Sequence, residues 1–258
     1  EEKMKGLYEC PEYYSLIFGK RDFKLECKFI AKAIKKYSRA KTVLDLACGT
    51  GPHMTELANM DFVVSGLDLS NGMLAKVETH PNIKNLYCED MSDFKVPDKF
   101  DVCICMINSL EILNTNLQLV SHFNSVSGCL NNGGLYIIEL DHPSLAFSNP
   151  LPGEKPKVYR KQITRRGVKI DITFKRERFD FGTNLEYNRL IADINDHGKR
   201  VRMIDSSPVR RLTVSDIDNF VRVSGNFEIV ALLGNFDFKT SLNSKNAKRM
   251  IIILRRTK

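Results

Sequence analysis

Val43–Gly51 reads VLDLACGTG, a short apolar run that ends in a turn holding two glycines one residue apart. An apolar run without polar alternation marks a strand buried on both faces. Glycine in the turn that follows lets the backbone approach a ligand with no side chain in the way. The same rhythm continues outward in both directions. Upstream, Phe23, Cys27, Ile30, Ile34 and Tyr37 recur at spacings of four, three, four and three, which predicts an amphipathic helix over 23–37. Downstream, a helix is predicted over His53–Met60 and a second strand over Phe62–Leu67, and Ser70 then N-caps a helix carrying Met73, Leu74 and Val77. Ile83–Cys88 and Phe100–Ile107 read as the third and fourth strands. A helix bearing Leu113, Leu117, Val120, Phe123 and Val126 is expected to close on Asn131-Asn132-Gly133-Gly134 as a glycine C-cap, before a fifth strand at Leu135–Leu140. Strands alternating with helices across short connections are βαβ units. They predict a doubly wound α/β domain whose sheet is parallel, covered on both faces, and binds ligands beyond the C-terminal ends of its strands.

The pattern changes after residue 141. A loop rich in proline (143, 150, 152, 156) leads into segments in which Ile170, Ile172 and Phe174 alternate with charged residues, with turns at Gly167, Gly182 and Asp196-His197-Gly198. This predicts an inserted antiparallel meander of about 50 residues. Thr213-Val-Ser-Asp216 reads as a capping box opening a helix with Ile217, Phe220 and Val221, ended near Gly225. Phe227–Leu233 and Arg249–Leu254 are the closing strands.

Composition excludes several classes. The 258 residues are 43% apolar and 27% charged, enough for a core and too apolar for a disordered chain. No apolar run exceeds six residues, far short of the roughly 20 that span a bilayer. The opening Glu-Glu-Lys-Met-Lys does not read as a signal peptide. The seven cysteines are an odd, scattered set with no C-x-x-C pair, so neither a disulfide scaffold nor a metal site is expected. Cys103 and Cys105 should share one strand face as small apolar residues, and a reduced, cytoplasmic setting follows. Charge is uneven: residues 1–150 hold 15 lysines and arginines against 19 acids, whereas 151–258 hold 24 against 12. The basic part is thus the second, which is either the solvated face of exposed strands or an electropositive wall for an anionic acceptor.

The candidate site starts at the glycine turn. Asp68 ends the second strand, where an acid accepts two hydrogen bonds from a ribose diol. A pyrophosphate fingerprint needs a third glycine at position 54, which is Met54, and no G-K-[ST] of a P-loop is present. The loop suits a nucleoside that carries no phosphate.

These residues carry a family resemblance. VLDLACGTG is similar to motif I of class I S-adenosylmethionine-dependent methyltransferases, with Ala47 in place of the first glycine of the usual G-x-G-x-G. Gly66–Leu74 (GLDLSNGML) resembles the second motif, Cys88–Met91 (CEDM) the third, Phe100–Leu110 (FDVCICMINSL) the fourth and Asn132–Glu139 (NGGLYIIE) the fifth-strand motif. Tyr13–Gly19 (YYSLIFG) and Arg210–Phe220 resemble the leader and late helix of the small-molecule subset, which includes glycine N-methyltransferases and nucleotide-sugar N,N-dimethyltransferases. The resemblance is weakest over 143–208, where the acceptor would be recognised.

The resemblance implies a Rossmann-like, seven-stranded mixed sheet with the antiparallel meander inserted after the fifth strand. It implies a leader and helix over 1–40 covering the cofactor, a core over 41–142 and 209–258, and the insertion over 143–208 on the acceptor side. S-adenosylmethionine is the implied cofactor, with Asp68 on its ribose, Asp90 on the adenine amino group and Met91 against the ring. Ala47, Gly49, Gly51, Leu69 and Met73 belong to the same cradle. Asp45, costly to bury as a bare carboxylate, is expected to meet the methionine ammonium. Met106 and Asn108 should edge the pocket, with Tyr14 at its mouth contacting cofactor or orienting an amine. His142, at the site end of the fifth strand, is a candidate general base; His53 reads as structural, and His80, His122 and His197 as helix-end, helix-surface and turn residues. The reading is methyl transfer to a small molecule, with an amine nitrogen favoured because no compelling base stands out and with a nucleotide-linked acceptor as one anionic option. The partner is that acceptor, not a membrane, and homodimer formation is left open. RNA or another macromolecule as acceptor, an NAD-dependent oxidoreductase, and a catalytically silent cofactor-binding module are the alternatives.

Overall fold

The computed structural model describes residues 6–146 and 154–258; residues 147–153, with Pro150 and Pro152 of the proline-rich loop, lie outside the described residues. In chain order the strands are β1 (Thr42–Leu46), β2 (Val63–Asp68), β3 (Ile83–Cys88), β4 (Phe100–Cys105), β5 (Leu130–Asp141), β6 (Lys157–Arg165), β7 (Val168–Asp180), β8 (Leu185–Asp196), β9 (Lys199–Asp205), β10 (Val209–Arg210), β11 (Phe227–Leu233) and β12 (Arg249–Arg256). The helices are α1 (Pro11–Phe18), α2 (Phe23–Tyr37), α3 (Pro52–Ala58), α4 (Asn71–Leu74), α5 (Asn116–Cys129), α6 (Pro143–Ala146) and α7 (Val214–Ser224).

One sheet has seven strands in the order β3-β2-β1-β4-β5-β12-β11. Its first five strands run parallel and β12 enters antiparallel between β5 and β11, so the sheet is mixed as expected. Alternation along the strands sorts the core into two layers. Leu44, Leu46, Cys103, Cys105, Tyr136 and Ile138 face the layer that holds α5 and α7. Val43, Val102, Ile104, Leu135, Ile137 and Ile251 face the layer that holds α2 and α3. By the same two-residue period, Asp45 and Glu139 point into the α2/α3 layer. Chain order turns back between β1 and β4, and in open α/β sheets this reversal is where ligands settle.

The helix starts follow their chemistry. Thr213 and Asp216 close the expected capping box on α7, which ends on Gly225 in a left-handed conformation (φ 63). Thr115 and Gln118 build a second capping box on α5. Three expectations are corrected. The C-cap at 131–134 is not one: α5 stops at Cys129 and the glycines form an irregularity inside β5, where the register with β4 shifts between Phe100 and Val102 and Gly133 takes φ 75. The fourth strand ends at Cys105 and not at Ile107, because Ile107 turns left-handed. The stripe of α5 is rotated, so Leu117 is exposed while His122 is fully buried. His122 donates from Nδ1 to the Met91 carbonyl (2.7 Å) and accepts at Nε2 from the Tyr136 hydroxyl (2.7 Å); two internal partners let a polar ring sit where periodicity alone puts surface.

The described chain divides into two compact units, one of residues 1–21 with 145–211, the other of 22–144 with 212–258. The leader therefore splits: α1 clusters with the insertion, whereas α2 packs in the seven-stranded unit. In the first unit, β10, β8, β7 and β6 form an antiparallel sheet to which β9 adds by pairing with β8. Ile163, Ile170, Ile194 and Met203 on one face of that sheet pack against Leu7, Cys10 and Tyr13. The Tyr13 hydroxyl donates to Asp196 (3.0 Å), and Arg165 Nη1 donates to the Leu16 carbonyl (2.7 Å). Among the described residues, no helix is long and apolar enough to cross a membrane.

Burial holds the His122 imidazole neutral, with its pKa pushed down to about 4. An unfolded chain binds that proton near pH 6.5, so the stability this residue contributes is complete above pH 6.5 and lost as pH falls toward 4. The slope should be about 1.4 kcal/mol per pH unit in that window, about 3 kcal/mol in all. Urea unfolding of the wild-type chain and of His122→Gln at pH 7.5, 6 and 5 checks this: the gap between the two should narrow as pH falls.

Candidate functional site

Three loops meet at the C-terminal ends of β1, β2 and β4. Leu46 pairs with Leu67 on one side and Cys105 on the other, so residues 47–51, 69–70 and 106–109 leave the sheet side by side. The first loop is wound left-handed at Ala47 (φ 55), Gly49 (φ 57) and Gly51 (φ 77). Ala47 adopts this conformation with a methyl group, at about 1–2 kcal/mol. The two glycines do different things. A Cβ built on Gly49 would meet nothing within 4 Å, so its outer face is open. On Gly51 it would touch Val77 at 3.0 Å, which closes that face against the protein. Beneath the loop, a Cβ on Gly66 would lie 2.5 Å from Met54 Sδ and 2.7 Å from Cys48 Sγ. Met54, noted in the sequence for displacing a third glycine, fills the space over Gly66 and brings α3 down onto β2.

Asp68 fastens the first two loops together. Its Oδ2 accepts from the Gly49 N–H (2.8 Å) and its Oδ1 from the Ser70 N–H (2.9 Å). A carboxylate has about four lone-pair directions, so each oxygen keeps capacity for a diol. Leu69, next in the chain, is 71% exposed, an apolar side chain held at the site with no apolar cover. Asp90 is exposed and uses Oδ1 to accept the Ser92 N–H (2.8 Å). Met91 is buried, its carbonyl held by His122. Met73 and Met106 are buried as well, so any contact they make is through shape or backbone.

Asp45 is only 2% exposed, and its Oδ2 has no hydrogen-bond partner among the described residues. Burial raises its pKa to about 7, the His53 charge pulls it down and Asp68 pushes it further up. An acceptor in this position calls for a donor, and a cation answers best. His53, on α3, is buried with Nε2 2.8 Å from Glu26 Oε2 on α2 and its ring edge against Phe23. The sequence identified neither Glu26 nor the pairing; an acid on the buried stripe of a lysine-rich helix was the available signal.

The third loop is strained. Ile107 (φ 56) and Asn108 (φ 59) are consecutive left-handed residues, an outlier for a β-branched side chain. Glu139, fully buried on β5, holds them: the Ile107 N–H donates to Glu139 Oε2 (2.8 Å) and the Asn108 N–H to the Glu139 carbonyl (3.3 Å). Arg249 on β12 lies 3.4 Å from Glu139 Oε1 and donates to Asp141 (2.6 Å). Asn108 Oδ1 is a second buried acceptor with no hydrogen-bond partner among the described residues. Glu139 was visible only as the last letter of the fifth-strand motif, with no sign that it governs another loop.

Two expected residues stand apart. His142 is held at both nitrogens: Nε2 donates to the Leu242 carbonyl (2.9 Å) and Nδ1 accepts from the Ser144 hydroxyl (2.7 Å). Its lone pair is thus engaged, which argues against the base role expected of it. Tyr14 belongs to the first unit, where it packs between Tyr8 (5.7 Å) and Phe18 (4.8 Å). No three histidine, cysteine or acidic side chains cluster as a metal site among the described residues.

Residues 43–134 match the family described as a methyltransferase domain. The chain is 31% identical, over 134 residues, to a dTDP-3-amino-3,6-dideoxy-α-D-glucopyranose N,N-dimethyltransferase of Streptomyces fradiae, an alignment covering 51% of this chain and 52% of that one. The chain thus spans about half the length of the curated relatives it matches first. Among solved structures, an S-adenosylmethionine-dependent methyltransferase from Clostridium acetobutylicum superposes with a TM-score of 0.79 at 20% identity, covering 95% of this chain and 96% of that one. DesVI from Streptomyces venezuelae superposes with a TM-score of 0.73 at 21% identity, covering 93% and 95%. The fold is therefore that of class I S-adenosylmethionine-dependent methyltransferases.

Removing the Glu139 carboxylate should free the third loop. Glu139→Ala strands the Ile107 N–H, leaves Arg249 with Asp141 alone, and should lower stability by about 2–4 kcal/mol. Glu139→Gln keeps an oxygen for the Ile107 N–H and should lose less. Urea midpoints of the two variants check the order.

Proposed function

Because residues 43–134 match the family described as a methyltransferase domain, we propose that the chain transfers the methyl group of S-adenosylmethionine to the nitrogen of a small amine, carried on a nucleotide-linked sugar. One observation carries the cofactor assignment: a buried carboxylate oxygen of Asp45 with no hydrogen-bond partner lies at the end of the strand that leads into the open face of Gly49. Those residues fit a ligand with an ammonium at one end and a nucleoside at the other. Asp45 would hold the methionine ammonium and Asp68 the ribose diol. Asp90 would take the adenine amino group, with Leu69 and Met91 flanking the ring. Ala47, Gly49 and Gly51 would give the backbone its close approach, while Met73 and Met106 shape the walls. The amine is supported by relatives named as N,N-dimethyltransferases of dTDP-amino sugars, and the anionic carrier by the basic second part of the chain.

When bound, the cofactor supplies a methyl carbon already attached to a good sulfur leaving group. The protein then has to align amine nitrogen, carbon and sulfur and keep water out, and such positioning can contribute roughly 7–11 kcal/mol. The nitrogen–carbon bond would form as the carbon–sulfur bond breaks, and the product ammonium would release its proton to solvent. With the lone pair of His142 engaged, no protein base is assigned. Asn108, through its unsatisfied Oδ1 on a fixed loop, is the residue proposed to orient the amine. The NAD-dependent, macromolecular and silent-module alternatives gain no support, and Met54 occupies the place a pyrophosphate loop reserves for glycine.

Two measurements test the reading. Asp68→Ala should weaken S-adenosylmethionine binding at least tenfold in isothermal titration, about 1.4 kcal/mol; unchanged affinity would remove the ribose assignment. Labelled methyl groups should pass to a dTDP-linked 3-amino sugar in preference to RNA. Label appearing on RNA alone would refute the acceptor class.

A further inference from the structure

The antiparallel sheet of the insertion has one face made of two unlike halves. On the first half, Ile163, Ile170 and Ile194 build the small core with Leu7, Cys10 and Tyr13. Directly opposed residues of neighbouring strands share a face. The register therefore carries this face on through the pair Tyr159 and Phe174, then Arg176 and Asn188, across β6, β7 and β8. This second half is polar and partly open. The Tyr159 and Phe174 rings lie 6.5 Å apart, and Tyr159 is 52% exposed. The Arg176 guanidinium stands 6.0 Å from the centre of the Tyr159 ring. Glu186 on β8 is fully buried, lies 3.5 Å from Arg176 Nε and accepts from Arg211 Nε at 2.7 Å. Asn188 Oδ1 is a buried acceptor with no hydrogen-bond partner among the described residues. Beside these groups the β7–β8 register shifts between Arg176 and Arg178, an irregularity of the kind that re-aims side chains next to sites.

A carboxylate buried against two guanidiniums adds little net stability, because desolvation consumes most of the attraction. It does fix two planar forks whose geometry suits phosphate oxygens. The two aromatic rings offer a flat apolar platform, and an amide oxygen without a donor calls for one. Phosphate, flat ring and ring N–H are parts of one ligand class. The sheet order β10-β8-β7-β6 sets three strand spacings between Arg211, just after β10, and Tyr159 on β6. That is about 14 Å, room for the three parts in a row. We propose that this half-face is the subsite for the pyrimidine nucleoside diphosphate that carries the amino sugar. The diphosphate lies on Arg176 and Arg211, the base lies on Tyr159 and Phe174, and Asn188 Oδ1 accepts the N–H at ring position 3. Glu186 is a positioning residue that holds both guanidiniums. The inference rests on the reading that the acceptor is nucleotide-linked, and it adds a selectivity: thymine and uracil carry that hydrogen, whereas cytosine does not.

The test uses the full chain and nucleotides that lack the sugar. Isothermal titration with dTDP, dTMP and dCDP should find dTDP bound most tightly, with dTMP and dCDP each about tenfold weaker. Arg176→Ala should weaken dTDP by about tenfold and bring it within about twofold of dTMP. Asn188→Ala should leave the preference for dTDP over dTMP in place and reduce the preference over dCDP to about twofold or less. These two ratios separate loss of a contact from loss of structure, which would weaken all three nucleotides alike. Arg176→Lys keeps the charge without the fork; it should lose less, and it serves as the second arm if Arg176→Ala fails to fold. Unchanged affinities and ratios in Arg176→Ala and Asn188→Ala would overturn this subsite while leaving the acceptor class intact. Equal affinity of the wild-type chain for dTDP and dCDP would overturn the role of Asn188. A wild-type chain that binds none of the three would overturn the nucleotide-linked acceptor and this inference with it.

Discussion

Two backbone N–H groups converging on Asp68 hold the site together. Gly49 belongs to the loop after β1 and Ser70 to the loop after β2, and one carboxylate accepts from both. The bridge adds to the bond from the Cys48 N–H to the Leu67 carbonyl (3.0 Å) in fixing a left-handed loop with three positive φ angles. The same bridge shapes the proposed nucleoside cradle from the chain's own bonds. Gly66 and Met54 complete it from below, since the absent Cβ admits the sulfur that brings α3 close.

Much of this was legible in the sequence, because buried parallel strands and amphipathic helices leave separate periodic marks. The stretch from Val43 to Gly51 was enough to locate β1, the turn and α3, and Asp68 followed from its place at the end of β2. What stayed hidden depends on partners far away in the chain. His122 lies on a helix as any polar residue does; only the Met91 carbonyl and the Tyr136 hydroxyl, fourteen or more residues away, make it an interior residue. Glu139 and Ile107 are joined over thirty-two residues by one hydrogen bond. The glycines at 133–134 read as a helix stop, yet the chain uses their freedom for an irregularity inside β5. Local pattern reports what a residue can do, and tertiary contact decides which of those options is used.

The two compact units divide the work differently from a simple head and lid. Every residue proposed for the cofactor lies in the unit of the seven-stranded sheet, whose two faces are sealed by α2/α3 and by α5/α7. The insertion has its own antiparallel sheet and its own small core, built with Leu7, Cys10 and Tyr13. A unit with a separate core can diverge in sequence without disturbing the other, which fits a resemblance that fades over 143–208.

The left-handed pair at Ile107 and Asn108 has a wider meaning. Ile107 keeps a side chain that resists its own backbone angle because that side chain packs on the hydrophobic layer below. This loop is therefore a spring anchored in the interior. Substitutions deep in that layer should therefore move the backbone of Ile107 and Asn108 before they cost the fold.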